Sequence, residues 1–282
     1  DMMYKTAGIQ INYDYTSEED FEKKFKIGNY LAPLTIALFA NSPFNENKLS
    51  GFLSYRGKVW QETNRGGIMP IAFENINFEK YIDHAISYPI LFLKKNGKYY
   101  SPNGQTFKDF LNSNLSFLKG EKPTLEDFEN HLGTIFTEIR LKQVLEFRSL
   151  DTCNFGCICN GPSFFTGLIY GSLDETYEII KNWKKEEVME AYLNAPKQGL
   201  NTLLQDKKLI DWAKIFLDLT KKGLAKRNEL NKSGKNETIY LKHIEEIISN
   251  KKTRAEMLIE QYNKTKKLDF LTNHEKNFSY SG

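Results

Sequence analysis

The sequence lacks an excess of charge of one sign and a long apolar run, and each absence excludes a class of partner. Lys and Arg number 39 against 36 Asp and Glu, for a net charge of +3, so the composition does not favour nucleic acid. No apolar run approaches the ~20 residues of a membrane span, and the chain begins in a patterned segment instead of a signal peptide. We therefore expect neither a nucleic acid nor a membrane as partner.

The sequence is also poor in cysteine, and its few cysteines are clustered. Cys153, Cys157 and Cys159 lie within seven residues of one another. An odd, clustered set is a poor disulfide framework and is typical of a reducing compartment. The C-x3-C-x-C spacing has no fourth metal ligand nearby, since His131 is the closest histidine, so a zinc site is disfavoured. We expect local structural cysteines in a cytoplasmic protein.

The pattern along the chain predicts two unlike portions of one domain. With 282 residues, 40% of them hydrophobic, the chain is long enough to bury a substantial core. Residues 1–160 mix strand and helix patterns, residues 161–262 carry amphipathic helix patterns, and residues 263–282 form a polar tail. Strands grouped apart from helices favour an α+β fold with a mostly antiparallel sheet and a helical C-terminal half.

The segment Ile139–Asp151 carries the strongest candidate for chemistry. Its apolar and charged residues alternate with the period of a strand that has one face on a core and one face free. On the free face, Glu146 and Arg148 lie two residues apart and point the same way. A carboxylate can bind a hard cation such as Mg²⁺, and the guanidinium group of an arginine can bind phosphate oxygens through two N–H donors. For an isolated Glu-x-Arg pair, however, a surface ion pair is the better interpretation.

Two other segments supply polar groups of the same kind. Gln10 and Asn12 lie on the polar face of a second strand pattern near the start of the chain. Residues 51–60 are typical of a strand or strand-like loop, which carries Arg56 and Trp60 and leads into a flexible turn with Arg65. Arginines on such loops can reach a ligand. A solvated loop arginine is at least as common, and a single tryptophan is usually part of a core, so both interpretations stay open from the residues alone.

Three motifs, in order along the chain, resemble one enzyme family. They are Met2-Met-Tyr-Lys-Thr-Ala-Gly-Ile-Gln-Ile-Asn-Tyr-Asp14, Ala37-Leu-Phe-Ala-Asn-Ser-Pro-Phe44 with Gly51-Phe-Leu-Ser-Tyr-Arg56, and Thr134-Ile-Phe-Thr-Glu-Ile-Arg-Leu-Lys142 with Leu145-Glu-Phe-Arg148. Together they resemble the plant-type glutamate–cysteine ligases (family 2), which are carboxylate–amine ligases related to glutamine synthetase. Weaker similarity continues to near Tyr262, so the resemblance covers nearly all of the chain.

The resemblance implies a glutamine-synthetase-like fold and an ATP-dependent reaction. The γ-carboxylate of glutamate is phosphorylated by Mg·ATP, and the cysteine amine then displaces phosphate to give γ-glutamylcysteine, the first step of glutathione biosynthesis. By the same resemblance, Glu146 and Arg148 are catalytic, Glu146 and Gln10 bind Mg²⁺, and Arg148 contacts the transferred phosphate. The expected substrate-binding residues are Lys5, Asn12, Arg56, Trp60 and Arg65. The expected partners are glutamate, cysteine and ATP, bound by a monomer or homodimer.

The sequence also departs from the family pattern. Lys5 stands in place of an arginine, the loop before Arg65 is slightly shorter, and Gly156-Cys157 replaces a pair of arginines. The family's earlier portion, which carries further acidic metal ligands, is absent, so we expect a fragment that is inactive alone. A sister ligase with a different amine acceptor and a non-catalytic relative of the fold remain alternatives.

Overall fold

Helices account for most of the secondary structure in the computed structural model, which describes residues 2–154 and 157–271. The strands are Gly8–Tyr13 (β1), Phe44–Asn45 (β2), Lys48–Leu49 (β3), Gly66–Gly67 (β4), Leu93–Lys95 (β5), Lys98–Tyr100 (β6), Phe136–Thr137 (β7), Ile139–Leu141 (β8), Leu145–Asp151 (β9), Leu203–Leu204 (β10) and Lys207–Lys208 (β11). The α-helices are Met2–Lys5 (α1), Glu18–Tyr30 (α2), Ala32–Leu38 (α3), Tyr55–Gln61 (α4), Phe78–Ser87 (α5), Phe107–Leu111 (α6), Leu125–Gly133 (α7), Asn160–Thr166 (α8), Leu173–Ile180 (α9), Lys185–Gln198 (α10), Leu209–Arg227 (α11), Lys242–Asn250 (α12) and Arg254–Thr265 (α13).

The central sheet is antiparallel and has the strand order β1-β9-β8. Asn12 on β1 lies opposite Glu146 on β9, and Glu146 lies opposite Arg140 on β8. Directly opposed residues of antiparallel strands share a face of the sheet. The pairing therefore brings the polar residues of three strands onto one face, two of them from a hairpin far along the chain from β1.

A β-bulge interrupts the pairing of β1 with β9. Gln10 of β1 faces two residues of β9, Arg148 and Ser149, because the register shifts between Ile9 and Ile11. Bulges of this kind bend a strand and re-aim its side chains. Here the bulge lies at the position where Gln10 meets the Arg148 side chain.

The prediction of one strand with a free face over residues 139–151 was wrong in two respects. The segment is a hairpin of β8 and β9, closed where the Lys142 amide donates to the Val144 carbonyl at 2.9 Å, and every residue of β9 is buried. Leu141 pairs directly with Leu145, four residues later, so the alternation passes through the turn unchanged. A period of two therefore cannot distinguish this hairpin from one long strand.

Helices α2 and α3 pack behind the sheet, and the helical second half shares the same core. Gly28 of α2 lies so close to Ile139 that an added Cβ would be 2.4 Å from the Ile139 Cδ1. Phe165 of α8 and Phe216 of α11 belong to the same hydrophobic cluster as the sheet residue Phe147. The predicted α+β class is confirmed, whereas the division into two portions and a tail stays a prediction. Across residues 2–154 and 157–271, no helix combines the length and apolar character needed to cross a membrane.

The expectation that the clustered cysteines do not form disulfides is corrected. The structure joins Cys153 to Cys157, whose Cα atoms are 6.1 Å apart, and leaves Cys159 unpaired. That separation is within the range that a disulfide spans, and the sequence spacing of the cysteines alone does not predict it. Gly156, at which the sequence departs from the family pattern, lies outside the described residues.

Candidate functional site

Arg56 and Trp60 lie on a helix and not on the strand-like loop predicted for residues 51–60. Helix α4 begins after Ser54, whose hydroxyl accepts a hydrogen bond from the Gly57 amide at 3.0 Å. A serine in this position satisfies one of the free N–H groups at a helix start and favours helix formation there. Because Arg56 and Trp60 are four residues apart, the helix places them on one face.

The Trp60 ring contacts two guanidinium groups. The guanidinium carbons of Arg56 and Arg148 each lie 5.5 Å from the ring centroid, and a terminal nitrogen of Arg56 also donates to the Arg148 carbonyl. Phe136 packs edge-on against Trp60 with 5.6 Å between ring centroids. Attraction between a cation and the negative face of an aromatic ring stabilises this arrangement.

The Glu146 carboxylate is surrounded by three positive side chains. Its Oε2 accepts from Arg140 Nε at 2.7 Å and lies 3.4 Å from Arg148 Nη1, while its Oε1 lies 3.4 Å from Lys142 Nζ. Burial alone would raise the pKa of Glu146, but the charge and hydrogen bond of Arg140, with Lys142 and Arg148, lower it below its ordinary value. Glu146 is therefore ionised at neutral pH and holds the arginines in place.

Arg148 is positive, buried and close to other positive groups. Burial, with the neighbouring charge of Arg140, lowers the pKa of Arg148 to about 10, and Glu146 partly offsets this effect. The guanidinium remains protonated at neutral pH. With its amide oxygen turned toward Arg148, Gln10 accepts from both terminal nitrogens, at 3.2 Å from Nη2.

Three N–H groups of this cluster are buried and have no hydrogen-bond partner among residues 2–154 and 157–271. They are Arg148 Nε, Arg56 Nη1 and Trp60 Nε1. A buried donor without an acceptor destabilises a fold, so such groups are uncommon unless they serve a ligand. All three are donors and two carry positive charge, so the ligand that complements them is an anion such as a carboxylate or phosphate.

The contacts of Glu146 and Gln10 do not fit the predicted Mg²⁺ site. Both Glu146 oxygens face cations, and the Gln10 oxygen faces Arg148. In the part of the chain that the structure describes, no group of three His, Cys, Asp or Glu side chains could hold a metal ion. Mg²⁺ prefers near-octahedral oxygen ligation with negative charge. The donor set here suits an anion instead.

The remaining predicted residues lie in different surroundings. Arg65 is bonded to protein acceptors through all three guanidinium nitrogens: Nε and Nη2 to Thr134, each at 2.8 Å, and Nη1 to the Pro89 carbonyl. Asn12 is exposed on the polar face of β1. Lys5 lies on α1 at the surface and forms an ion pair with Glu46 at 2.8 Å, which raises the pKa of Lys5 through that hydrogen bond.

Sequence reasoning missed three residues of the cluster. Arg140 carries the shortest bond to Glu146 described above, and the buried Glu138 accepts from the Tyr192 hydroxyl at 2.7 Å. Glu138 and Arg140 stand, like Glu146, at even positions of the alternating segment. That pattern could have indicated them as members of the same polar face. Tyr192 comes from α10 and has only the pattern of a core residue, so no sequence signal indicated it.

Comparison with known proteins now identifies the family. The sequence model of the Glutamate-cysteine ligase family 2 (GCS2) matches residues 1–274. The chain belongs to this family. It is 40% identical over 267 residues to the "Glutamate--cysteine ligase, chloroplastic" of Solanum lycopersicum, which covers 93% of this chain and 50% of the relative.

Two further relatives of the glutamate-cysteine ligase family give the same result. "Glutamate--cysteine ligase B, chloroplastic" of Oryza sativa subsp. japonica is 39% identical over 267 residues, covering 93% of this chain and 53% of the relative. The Brassica juncea ligase is 40% identical over 268 residues, with 93% and 51% covered. The chain thus spans about half the length of the curated relatives it matches. All three relatives are named chloroplastic, which contradicts the cytoplasmic location expected from the sequence.

Proposed function

We propose that this chain carries the anion-binding part of an ATP-dependent ligase that joins the γ-carboxylate of L-glutamate to the amine of L-cysteine. The reaction passes through γ-glutamyl phosphate and is the first step of glutathione biosynthesis. The proposal is supported by membership of the family and by one observation above all: the buried N–H donors of Arg148, Arg56 and Trp60 have no partner in the described part of the chain. We place the site on a glutamine-synthetase-like fold that acts as a monomer or homodimer.

Arg148 and Arg56 bind the anions of the reaction. In the first step a γ-carboxylate oxygen attacks the terminal phosphorus of ATP and ADP leaves. In the second step the cysteine nitrogen attacks the acyl carbon, the bond to phosphate breaks, and the amine loses a proton. Negative charge is carried by the carboxylate and then by phosphate, and pre-placed guanidinium donors stabilise that charge without reorganising.

Glu146 and Gln10 act on the arginines in this proposal. Glu146 bonds Arg140 and Arg148 and keeps their mutual repulsion from separating them, while Gln10 occupies the two terminal nitrogens of Arg148 and leaves Nε free. The family resemblance also assigns both residues to Mg²⁺, but their contacts with cations do not fit that ion. None of the steps above depends on that assignment.

The other predicted residues are proposed as the rim of the site. Asn12 is exposed beside Glu146 on the neighbouring strand, where its amide can bond a polar substrate group. Lys5 carries positive charge at the surface. Its electrostatic attraction for anionic substrates would weaken as the salt concentration rises. Arg65 is the weakest member, because protein acceptors already use its donors.

Phosphate release tests the proposed function and its alternatives. The chain is incubated with ATP and L-glutamate, and cysteine is replaced in turn by other primary amines. Release that requires glutamate and is fastest with cysteine supports the ligase; release that is fastest with another amine supports a sister ligase. If no amine gives release, binding of L-glutamate measured by calorimetry separates a binding-competent fragment from the absence of any site, and the second result would overturn the proposal.

A further inference from the structure

At the end of β9, beyond Arg148, a buried carboxylate bonds to two serine hydroxyls. Asp151 is only 2% exposed. One of its oxygens accepts from the Ser54 hydroxyl at 2.7 Å, and the other accepts from the Ser42 hydroxyl at 2.7 Å and from the Asn41 amide at 2.9 Å. Three donors surround this one buried side chain and all of them point at its oxygens. Asp151 therefore serves as a hydrogen-bond acceptor.

Each serine hydroxyl has a second partner at the start of α4. Ser42 Oγ accepts from the Arg56 amide and Ser54 Oγ accepts from the Gly57 amide, both at 3.0 Å. A hydroxyl has one proton to donate and two lone pairs. Because Asp151 accepts that proton from each serine, the lone pairs of both are directed to main-chain N–H groups that a helix start would otherwise leave unpaired.

We call the hydrogen bonds that run from the α4 amides through Ser42 and Ser54 to Asp151 the relay. The relay links the two elements that carry the anion site, which is formed by Arg148, Arg56 and Trp60. Asp151 and Arg148 belong to β9, whereas Arg56 and Trp60 belong to α4. The same junction is supported from the helical half, where the Pro196 carbonyl accepts from the amides preceding α4 at 2.8 and 3.0 Å. Burial raises the pKa of the Asp151 carboxyl, and the charge of Arg56 and the hydrogen bonds act in the opposite direction.

We propose that Asp151 is a positioning residue of the anion site: through Ser42 and Ser54 it fixes the first turn of α4 against β9, and so sets where Arg56 and Trp60 stand relative to Arg148. Asp151 does not touch the anion. The hydrogen-bond relay stands on the structure alone, while its effect on ligand affinity rests on the proposed function.

Amide hydrogen exchange by NMR tests the relay with a matched control. Asp151→Asn keeps the size of the side chain but replaces one acceptor oxygen with an N–H2 group, which cannot accept from a serine. The remaining oxygen still accepts from one serine, so we expect the amide held by the other serine, Arg56 or Gly57, to exchange about tenfold faster or more. Asp127→Asn is the control, because Asp127 is also buried and caps a helix, α7, through Thr124 at 2.7–2.8 Å. There, faster exchange should stay near α7.

Two results would overturn the proposal: unchanged exchange at Arg56 and Gly57 in Asp151→Asn, or the same acceleration in Asp127→Asn. If Asp151→Asn does not fold, Ser42→Ala and Ser54→Ala take its place. The first should accelerate exchange at Arg56 and the second at Gly57, and unchanged rates in both would again overturn the proposal.

Titration with inorganic phosphate then tests the effect on the site. Asp151→Asn should weaken phosphate binding by about tenfold or more, and Asp127→Asn should stay within about twofold of the wild type. Equal affinity of the wild type and Asp151→Asn would contradict a positioning role. If the wild type itself binds neither phosphate nor L-glutamate, the proposed function fails, whereas the exchange rates still decide whether the relay exists.

Discussion

Arg148 holds its guanidinium carbon 5.5 Å from the centroid of the Trp60 ring, and Arg56 does the same. Two positive groups share one aromatic side chain in a buried environment, and the Glu146 carboxylate lies 3.4 Å from Arg148 Nη1. The ring and the carboxylate reduce the repulsion between the guanidinium groups. An anion bound among them would reduce it further, which is why this cluster suits a carboxylate or phosphate.

Two substitutions of Trp60 distinguish the contribution of its ring to anion binding from that of its N–H group. Trp60→Phe keeps an aromatic face for the arginines but removes the Nε1 donor, and we expect phosphate or L-glutamate affinity to fall by about threefold to tenfold. Trp60→Leu removes both and should cost a further factor of about threefold to tenfold. Calorimetric titration measures both variants. Equal affinity of Trp60→Phe and the wild type would show that the indole N–H does not contact the ligand.

Arg148→Gln should lower anion affinity, whereas Arg65→Gln should lower stability. Arg148 has a free buried Nε, so its replacement should weaken anion binding by about tenfold or more. Arg65 uses its donors on Thr134 and Pro89, so its replacement should lower the unfolding free energy by about 1–3 kcal/mol and leave anion affinity within about twofold. Urea unfolding and calorimetry on both variants distinguish these outcomes. Loss of affinity in Arg65→Gln with unchanged stability would instead support the carboxylate-binding role predicted from the sequence.

The stabilising effect of Glu146 should depend on pH with a definite sign. The pKa of Glu146 is lower in the folded protein than its ordinary value, which is about 4.3 in an unfolded chain. Its contribution is therefore complete above about pH 4.3 and is lost as the pH falls through the folded pKa. We expect Glu146→Gln to be about 3 kcal/mol less stable than the wild type at neutral pH, with a difference that shrinks on acidification. Urea unfolding between pH 7 and pH 3 measures this; a difference that grows in acid would contradict it.

Gly28 permits the close packing of α2 on the sheet. A Cβ there would lie 2.4 Å from Ile139 Cδ1 and 2.8 Å from Phe147 Cε1, so Gly28→Ala should destabilise the protein by about 1–3 kcal/mol. Gly133→Ala is the matched control, because an added Cβ at this helical position meets nothing else within 4 Å among the described residues beyond its chain neighbours and its own helix backbone. It should be neutral or slightly stabilising, since alanine favours helix over glycine by about 1 kcal/mol. Equal effects of the two substitutions in thermal unfolding would contradict this packing.

The sequence predicted the α+β class and the polar faces of β1 and β9, because alternation reports directly which residues share a face. It could not predict the turn between β8 and β9, since the alternation runs through that turn unbroken. The predicted exposure of Glu146 was also wrong. Alternation marks a polar face of a strand but does not show whether other residues, here Arg140 and further elements, cover that face.

Other features of the candidate site depend on contacts between distant segments. Tyr192 reaches Glu138 across 54 residues, and Asp151 reaches Ser54 across 97. Nothing in the local pattern of either residue indicates its partner. The prediction of a strand-like segment over residues 51–60 was wrong for a local reason, because the Ser54 side chain caps a helix start there.

The central claim is that the buried N–H groups of Arg148, Arg56 and Trp60 bind an anion. The most direct test is to follow the arginine Nε–H and tryptophan indole N–H signals by nitrogen-15 NMR while inorganic phosphate or L-glutamate is added, with Arg148→Gln and Trp60→Phe to assign them. We predict a saturable shift of the Arg148 and Trp60 signals, with those of Arg65, Trp183 and Trp212 unchanged. Saturation of either ligand without any shift at Arg148 and Trp60 would contradict the account.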